Sequence, residues 1–374
     1  MDKKTLHIVT LEIPYPPNKG STIDMYYRIK ALAEAGVEII LHCFYKSFVV
    51  ETALAPYCKV VYLYARKPLW KIHSLSIPLF VQSRRNDQLI DMLSQDDHPI
   101  LYEGLHTTFT LTDQRLRHKK KYIRQHNMEA AYYHHLRSQE TNPLKKIYYA
   151  IETYLVKKYE PAVLFDADHL FAISELENQT YKTLGYNVTW LPPFLDHTFT
   201  SKTGRGSYAL YHGDLSIKEN EAAALFLIEK VFKQLDYPLV VAGKKPSSKI
   251  KSLIFKNKKF TLHDTPSTGM MQELIRDAHI ILAPFSQTTG YKIKLLESLT
   301  KGRHIITTSN VRVYQELSPC LHFACDEDTD WIDQIQTLVG REFTEEEKDS
   351  RLKVMDHWFN PKVNIEEFIA KIFG

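Results

Sequence analysis

Short apolar runs alternate along the chain with longer segments in which apolar residues recur every three or four positions. Leu6 to Leu11 and Val37 to Phe44 are runs of the first kind, and Thr22 to Ala35, ended by Gly36, is a segment of the second kind. Continuous apolar runs of this length are typical of strands buried in a parallel sheet, whereas the longer period is that of an amphipathic helix. The pattern predicts an α/β fold built from strand–helix–strand units.

The later part of the chain repeats this alternation. In its first half, Tyr132 to Tyr159 predicts two helices broken at Asn142-Pro143. Leu170 to Ile173, followed by Ser174 as a helix N-cap, predicts the last strand–helix junction of that half. Further strands are predicted from Tyr208 and at Pro238–Ala242, Phe260–His263 and Ile280–Leu282.

A polar stretch divides the chain into two parts. His197 to Ser207 is rich in Ser, Lys, Thr and Gly, as linkers are, and we place the boundary near Thr200. The 374 residues are enough for two domains with separate cores. We therefore predict a first domain at 1–200, a second at 201–355, and a closing helix at 356–374 that packs back on the first.

Composition and charge argue against several classes of protein, among them nucleic-acid-binding and membrane-spanning proteins. The formal net charge of +4 is too small and too evenly spread to indicate a nucleic-acid partner. The four cysteines lack the spacing of zinc sites, which favours a reducing compartment. The first apolar run is too short for a signal peptide, and no window approaches the roughly 20 apolar residues of a membrane span. We expect a cytoplasmic protein.

The stretch from Pro284 to Ser309 combines a strand end, a polar loop, a helix and the next strand. We predict that the helix begins directly after Gly290 and that Gly302 takes the C′ position beyond its end. Unpaired amides at such a helix start suit a diphosphate. Glu297, about two turns into the helix, is placed to bond the hydroxyls of a ribose. An ordinary βαβ unit with a solvated glutamate is the alternative.

The run TGYKIKLLE at residues 289–297 resembles the C-terminal signature of family 4 GT-B glycosyltransferases, in the form seen in Bacteroidetes-type envelope-polysaccharide transferases. That signature is usually Glu-x7-Glu; here Thr289 stands at its first position and Glu297 at its second. The resemblance implies two Rossmann-like, doubly wound domains facing a cleft. It also implies retaining transfer from a nucleoside-diphosphate sugar to a saccharide or lipid-linked acceptor in envelope glycan synthesis, with Glu297 on the ribose.

The same resemblance places donor binding at the strand ends of the second domain. Asp214 stands where the family often carries an arginine, and Lys218 is open to two interpretations, a phosphate contact or a solvated lysine. No acidic cluster has the spacing of a divalent-metal site, so no metal or other cofactor is expected. The predicted donor-binding residues are Gly213, Lys218, Gly243, Lys244, Thr289, Gly290, Tyr291, Lys294 and Glu297.

Three residues of the first domain are predicted to act at the reaction centre. Gly20 lies in a Pro/Gly loop after the first strand that resembles the family loop over that centre, although a tight turn is the alternative. Glu103 ends a short predicted strand, at the edge where parallel sheets bind ligands. His126 lies in Arg-x-His-Asn-x-Glu, which resembles a subgroup motif with a histidine near the donor sugar. A structural role for this histidine remains open.

The segment Arg66 to Arg85 has basic ends around an apolar middle. It is compatible with peripheral contact to an anionic membrane surface or with a loop and short helix packed on the first domain. Two other functions stay open for the whole chain, a nucleotide-sugar epimerase of the same fold and a non-catalytic nucleotide-sugar-binding subunit.

Overall fold

The computed structural model describes residues 3–47, 52–72, 76–286, 289–325 and 327–374. Gln287 and Thr288 of the predicted polar loop, and His73 to Leu75 of the basic segment, lie outside these ranges. Contacts group the chain into two compact units. The first unit comprises Met1–Leu195, Thr289–Tyr291 and Pro361–Gly374, and the second comprises Asp196–Thr288 and Lys292–Asn360.

Each unit is built on one parallel sheet, as predicted. The first sheet has the order β3-β2-β1-β4-β5-β6-β7 and the second β10-β9-β8-β11-β12-β13. The strands are β1 Thr5–Thr10, β2 Glu38–Tyr45, β3 Val60–Ala65, β4 Ile100–Glu103, β5 Lys121–Arg124, β6 His169–Ala172, β7 Val188–Trp190, β8 Ala209–His212, β9 Leu239–Gly243, β10 Phe260–Asp264, β11 Ile280–Ala283, β12 His304–Thr308 and β13 His322–Ala324. The central strands β1, β4 and β5 are buried along their whole length, including polar residues such as His7 in β1 and Arg124 in β5.

Helices cover both sheets. In chain order they are α1 Gly20–Glu34, α2 Leu79–Gln82, α3 Asp87–Leu93, α4 Glu129–Gln139, α5 Pro143–Phe165, α6 Glu175–Thr183, α7 Lys218–Phe226, α8 Ser248–Phe255, α9 Thr268–Asp277, α10 Ile293–Lys301, α11 Asp328–Val339, α12 Glu345–Phe359 and α13 Pro361–Phe373. The last of these belongs to the first unit, where the Tyr122 hydroxyl donates to the Ile372 carbonyl at 3.0 Å. No helix in the described ranges is long and apolar enough to cross a membrane.

Several local predictions are confirmed by side-chain caps. Asn142 caps α5 by accepting from the amides of Leu144 and Lys145, and Pro143 follows it as the first helical residue. Ser174 caps α6 by accepting from the Glu177 amide. Side-chain oxygens of this kind satisfy amides that have no partner within the helix.

The junction of β6 with α6 at Ser174 is the last strand–helix junction of the first unit, as predicted, because β7 is followed along the chain by β8 of the second unit. Two local predictions are wrong. The helix α10 starts at Ile293, three residues after Gly290. Gly302 ends α10 with a φ of −96°, so it is not in the left-handed conformation expected at C′. The glycine is required there for another reason: an added Cβ would lie 2.1 Å from a side-chain carbon of Ile281.

Candidate functional site

Two of the predicted glycines lie at the carboxyl ends of β8 and β9, in the second unit. A Cβ added to Gly243 would lie 1.8 Å from the Gly213 carbonyl oxygen, so only glycine permits this approach. The Gly213 amide donates to the Ala242 carbonyl at 3.1 Å. This close packing holds the turn after β8, and therefore the start of α7, against the end of β9.

The first turn of α7 contains an acidic residue that the sequence analysis did not identify. Lys218, the first residue of α7, is exposed, and Lys244 after β9 is half-buried. Next to Lys218, a carboxylate oxygen of Glu219 accepts from the Ser286 hydroxyl at 2.8 Å and from its amide at 3.3 Å. The loop that follows β11 is thereby tied to the start of α7 at the ligand edge of the sheet.

Lys294 lies in the first turn of α10 and points toward the end of β8. Its ammonium group donates to the His212 carbonyl at 3.3 Å and lies 5.1 Å from the Tyr211 ring centroid and 4.9 Å from that of Phe285. Burial lowers the pKa of Lys294 to about 8, and the nearby Glu219 carboxylate opposes that shift. Lys294 is therefore a partly desolvated cation at the predicted phosphate edge.

Glu297 is half-buried one turn further along α10. Burial raises its pKa, while Lys301 favours the ionised form. Among the residues that the structure describes, no group donates a hydrogen bond to its carboxylate. A carboxylate that is partly buried without a hydrogen-bond donor loses solvation free energy. A ligand hydroxyl that donated a hydrogen bond to it would recover part of that loss.

The short segment Thr289–Tyr291 is grouped with the first unit. Gly290 has a φ of +68°, and its amide donates to the Glu177 carboxylate at 3.1 Å. A Cβ at this position would lie 2.3 Å from the side-chain oxygen of Asn127. Because α10 begins only at Ile293, the prediction that Gly290 opens that helix toward a phosphate is wrong.

His126 and Glu103 meet at the carboxyl edge of the first sheet. The Nε2 atom of His126 lies 3.0 Å from Oε2 of Glu103. Among the described residues the other ring nitrogen has no hydrogen-bond partner. The second oxygen of Glu103 accepts a short hydrogen bond from Arg28 on α1, and Arg28 also bonds Asp24 at 2.8 Å.

A second arginine completes this buried network. Arg124, at the end of β5, donates to the two carboxylate oxygens of Asp24 at 3.2 and 3.3 Å. Its remaining hydrogen bonds go to the carbonyls of Ala172, the last residue of β6, and of Leu191 and Pro192, which follow β7. Asp24 also accepts from the Phe194 amide at 2.8 Å. The charges thus fix helix α1 against three strand ends.

The network leaves Glu103 ionised beside His126. Although burial raises the pKa of Glu103, Arg28 and His126 hold it below its usual value. An ionised carboxylate accepts only, so His126 donates through Nε2 and its Nδ1 remains for a ligand. Gly104, with a φ of +67°, lies close behind the ring, where an added Cβ would be 3.3 Å from His126 Cδ2.

Asp24, Glu103 and His126 also have ligand-type atoms within 4.8 Å of one another, a grouping that could suit a metal ion. The carboxylates, however, already bond the guanidinium groups of Arg28 and Arg124. Two carboxylates and two guanidinium groups carry no net charge, so little electrostatic attraction is left for a divalent cation. We interpret the cluster as an ion-pair network.

Two further residues of the first unit are not part of this hydrogen-bond network: Gly20, which is predicted to act at the reaction centre, and His106, which lies near Gly104. Gly20 is the exposed first residue of α1, and its predicted effect on the reaction centre stays a prediction. His106 has its ring 4.3 Å from that of Phe80, and burial lowers its pKa well below the usual value. These features favour a packed, neutral imidazole at His106.

Three buried carboxylates surround the start of α4. Glu160 accepts from the amides of Ala130 and Glu129, and Glu177 accepts from the Met128 amide. Burial, followed by repulsion from Glu160 and Glu177, raises the pKa of Glu129 to about 8. Burial raises the pKa of Glu160 to about 7. The cluster therefore holds protons that free carboxyl groups would lose near pH 4.5.

Glu129→Gln is expected to raise the melting temperature at pH 8 and to leave it nearly unchanged at pH 4.5. Because the folded-state pKa lies above the unfolded one, native Glu129 costs stability progressively as pH rises from 4.5 to about 8. Glutamine removes that cost. Thermal melts across this pH range measure the difference, with Glu366→Gln, which changes an exposed residue of α13, as the control. An equal shift at both pH values would contradict the assignment.

A cavity of about 280 Å³ lies at the opposite edge of the second sheet. His304 and His322, the first residues of β12 and β13, line it together with Arg341 and Arg351. No predicted donor-binding residue borders it. The cavity therefore does not mark the predicted donor site.

Part of the chain matches a known family, and most of it is similar to a known protein. Residues 206–341 match the model of the family described as glycosyl transferases group 1. An uncharacterized 44.6 kDa protein in the cps region of Klebsiella pneumoniae is 26% identical over 326 residues, which cover 81% of this chain and 82% of that protein.

Solved structures share the architecture over nearly the whole chain. Sucrose-phosphate synthase from Thermosynechococcus elongatus has a TM-score of 0.73 at 11% identity and covers 99% of both chains. A mutant of S. aureus TarM, in complex with fondaparinux, alpha-GlcNAc-glycerol and UDP, has a TM-score of 0.67 at 10% identity and covers 99% of this chain and 100% of its own. At these identities the likeness establishes the fold, and it confirms the predicted GT-B class.

Proposed function

We propose that this chain, whose residues 206–341 match the model of the group 1 glycosyl transferases, transfers a sugar from a nucleoside-diphosphate sugar to a saccharide or lipid-linked acceptor. Retention at the anomeric carbon and a role in envelope glycan synthesis belong to the same proposal. The resemblance of residues 289–297 to retaining enzymes supports the first point. The relative in a cps region supports the second.

One observation carries the donor assignment. The matched region contains a half-buried Glu297, whose carboxylate accepts no hydrogen bond within the described part of the chain, one turn beyond a partly desolvated Lys294 on the same helix. A carboxylate suits the hydroxyls of a ribose, and an ammonium group suits a diphosphate. We assign the ribose to Glu297 and the phosphates to Lys294, with Lys218 and Lys244 as further cations at that edge.

The leaving-group charge would then be met without a metal. The cations at the strand ends of the second unit stabilise the departing nucleoside diphosphate, because preorganised charge lowers the barrier most where charge develops. We assign His126, whose Nε2 is held by Glu103, to the transferred sugar through its Nδ1. The chain's contribution is positioning and electrostatic stabilisation.

Glu297→Gln is expected to weaken binding of the free nucleoside diphosphate by about 1–3 kcal/mol, because a charge-assisted hydrogen bond to the ribose is lost. Isothermal calorimetry on the full chain measures the change. Glu273→Gln, which changes an exposed glutamate on α9 of the same unit, is the matched control. Equal affinity for the Glu297 variant and the wild type would rule out the ribose contact.

The proposed function is tested with a panel of nucleoside-diphosphate sugars. A bound donor is expected to raise the melting temperature, because ligands stabilise the state that binds them. Slow release of nucleoside diphosphate and free sugar without acceptor would identify an active transferase. A stereoisomeric sugar would instead indicate an epimerase. Donor binding without any turnover, in the presence of lipid-linked and saccharide acceptors, would favour the non-catalytic binding subunit.

A further inference from the structure

The long helix α5 leaves an apolar face in water. Leu144 is 77% exposed, Ile147 and Tyr154 are each 58% exposed, and Phe165 is 63% exposed. With the half-buried Ile151 they follow one another at helical spacing and fall within an arc of about 80° at 100° per residue. The stripe runs the length of a 23-residue helix, about 34 Å.

The opposite face of α5 is fixed in the first unit. Val156, Val163 and Leu164 are buried in its core. The Glu152 carboxylate accepts from the amides of Leu79 and Phe80 on α2 at 2.9 and 3.0 Å. Because these contacts set the rotation of the helix, the apolar stripe cannot turn inward. Exposed apolar surfaces of this extent on soluble domains mark interaction sites.

The charges around the stripe have one sign. The α4–α5 hairpin, residues 129–165, has four acidic residues, and all of them are buried. Its exposed charged residues are all basic; they are Arg137, Lys145, Lys146, Lys157 and Lys158. Lys158 lies against the apolar stripe, with its ammonium group 4.4 Å from the Tyr154 ring centroid. The next exposed acid along the chain is Asp166, which follows the helix.

We propose that this face of α5 rests on an anionic lipid bilayer. Apolar side chains enter the boundary of the acyl chains, and the flanking lysines meet negatively charged headgroups, as in helices that lie in the membrane interface. A second copy of the chain is a poorer occupant, because a two-fold contact would bring lysine against lysine.

The proposed membrane contact on α5 lies outside Arg66 to Arg85, the basic segment for which the sequence suggested such a contact. Phe80 and Val81, near the C-terminal end of that segment, are buried in the core of the first unit, so this part of it packs inward. Trp70, at 75% exposure, is its large exposed apolar side chain among the described residues. The proposal for α5 does not rest on glycosyl transfer, and binding to lipid can be measured without any sugar donor.

The test is sedimentation of the full chain with vesicles of phosphatidylcholine, alone or mixed with phosphatidylglycerol. The wild type is expected to bind the mixed vesicles at least about tenfold more tightly than the neutral ones, and less tightly at high salt. The double variant Ile147→Glu, Tyr154→Glu is expected to lose that binding. Phe255→Glu, which changes a 92% exposed residue on α8, is the matched control and should bind as the wild type does.

Melting temperatures within a few degrees of the wild type show that the variants are folded. Equal binding of the wild type to both vesicle types would overturn the proposal, as would equal loss in the Phe255 variant. Absence of vesicle binding together with a dimer that the double variant dissociates, seen by light scattering, would assign the face to a second copy instead.

Discussion

His126→Ala is expected to lower kcat and kcat/KM together by about 100-fold or more, on the scale of groups that act in the transition state. Its Nε2 is held by Glu103, so the ring is oriented and Nδ1 is the ring nitrogen left for the proposed sugar contact. Donor affinity should stay nearly constant, because the nucleotide is assigned to residues of the second unit. Steady-state kinetics with saturating acceptor, and calorimetry with the nucleoside diphosphate, measure the two quantities.

The structural alternative makes the opposite prediction. If the histidine only packs, the alanine variant melts earlier and its folded fraction turns over normally. His134→Ala, which changes an exposed histidine on α4, controls for nonspecific effects. Wild-type turnover by a folded His126 variant would remove this residue from the reaction and leave Glu103 as the candidate on that edge.

Arg28→Met is expected to lower the free energy of unfolding by about 3–5 kcal/mol, because removing one partner leaves buried charge uncompensated. Arg28 bonds both Asp24 and Glu103, and all three side chains are buried. Denaturant unfolding at pH 7 measures the loss, and Lys30→Met on the exposed side of α1 should change stability by less than about 0.5 kcal/mol.

The loss should shrink as the pH falls. Although burial alone would raise the pKa of Asp24, Arg124 and Arg28 hold it far below its usual value. A depressed carboxyl pKa contributes stability above the unfolded-state value of about 4 that disappears at lower pH. In the Arg28→Met variant that contribution is reduced, so the difference from the wild type is largest at neutral pH. A difference independent of pH would argue against this electrostatic account.

The sequence predicted those structural features that are determined by residues close together along the chain. Parallel strands, the helix break at Asn142-Pro143, the Ser174 cap and the α/β class follow from periodicity and capping chemistry within a few residues. Glu103 and His126 were both placed at strand ends, and the structure brings them into contact. Their shared edge follows from parallel pairing of β4 with β5.

The sequence did not predict contacts between residues that are far apart along the chain. Asp24 is bonded by Arg124, 100 residues away, and by the amide of Phe194, 170 residues away. A signal was present, since Asp24 and Arg28 form an i,i+4 pair beside the apolar positions of α1. Likewise Gly290 was assigned to a helix start, whereas its conformation is set by contact with Asn127 and Glu177.

The return of α13 to the first unit has a consequence for synthesis on the ribosome. Ile365, Phe368 and Ile372 belong to the same buried cluster as Leu6 and Ile8. Domains commonly fold as they emerge, from the N-terminus onward. Here the buried cluster lacks the side chains of α13 until residues 361–373 have been synthesised. Those residues are made after every strand of both sheets. The nascent first unit therefore exposes that apolar surface throughout translation of the second, and it needs protection from aggregation for longer than its own length implies.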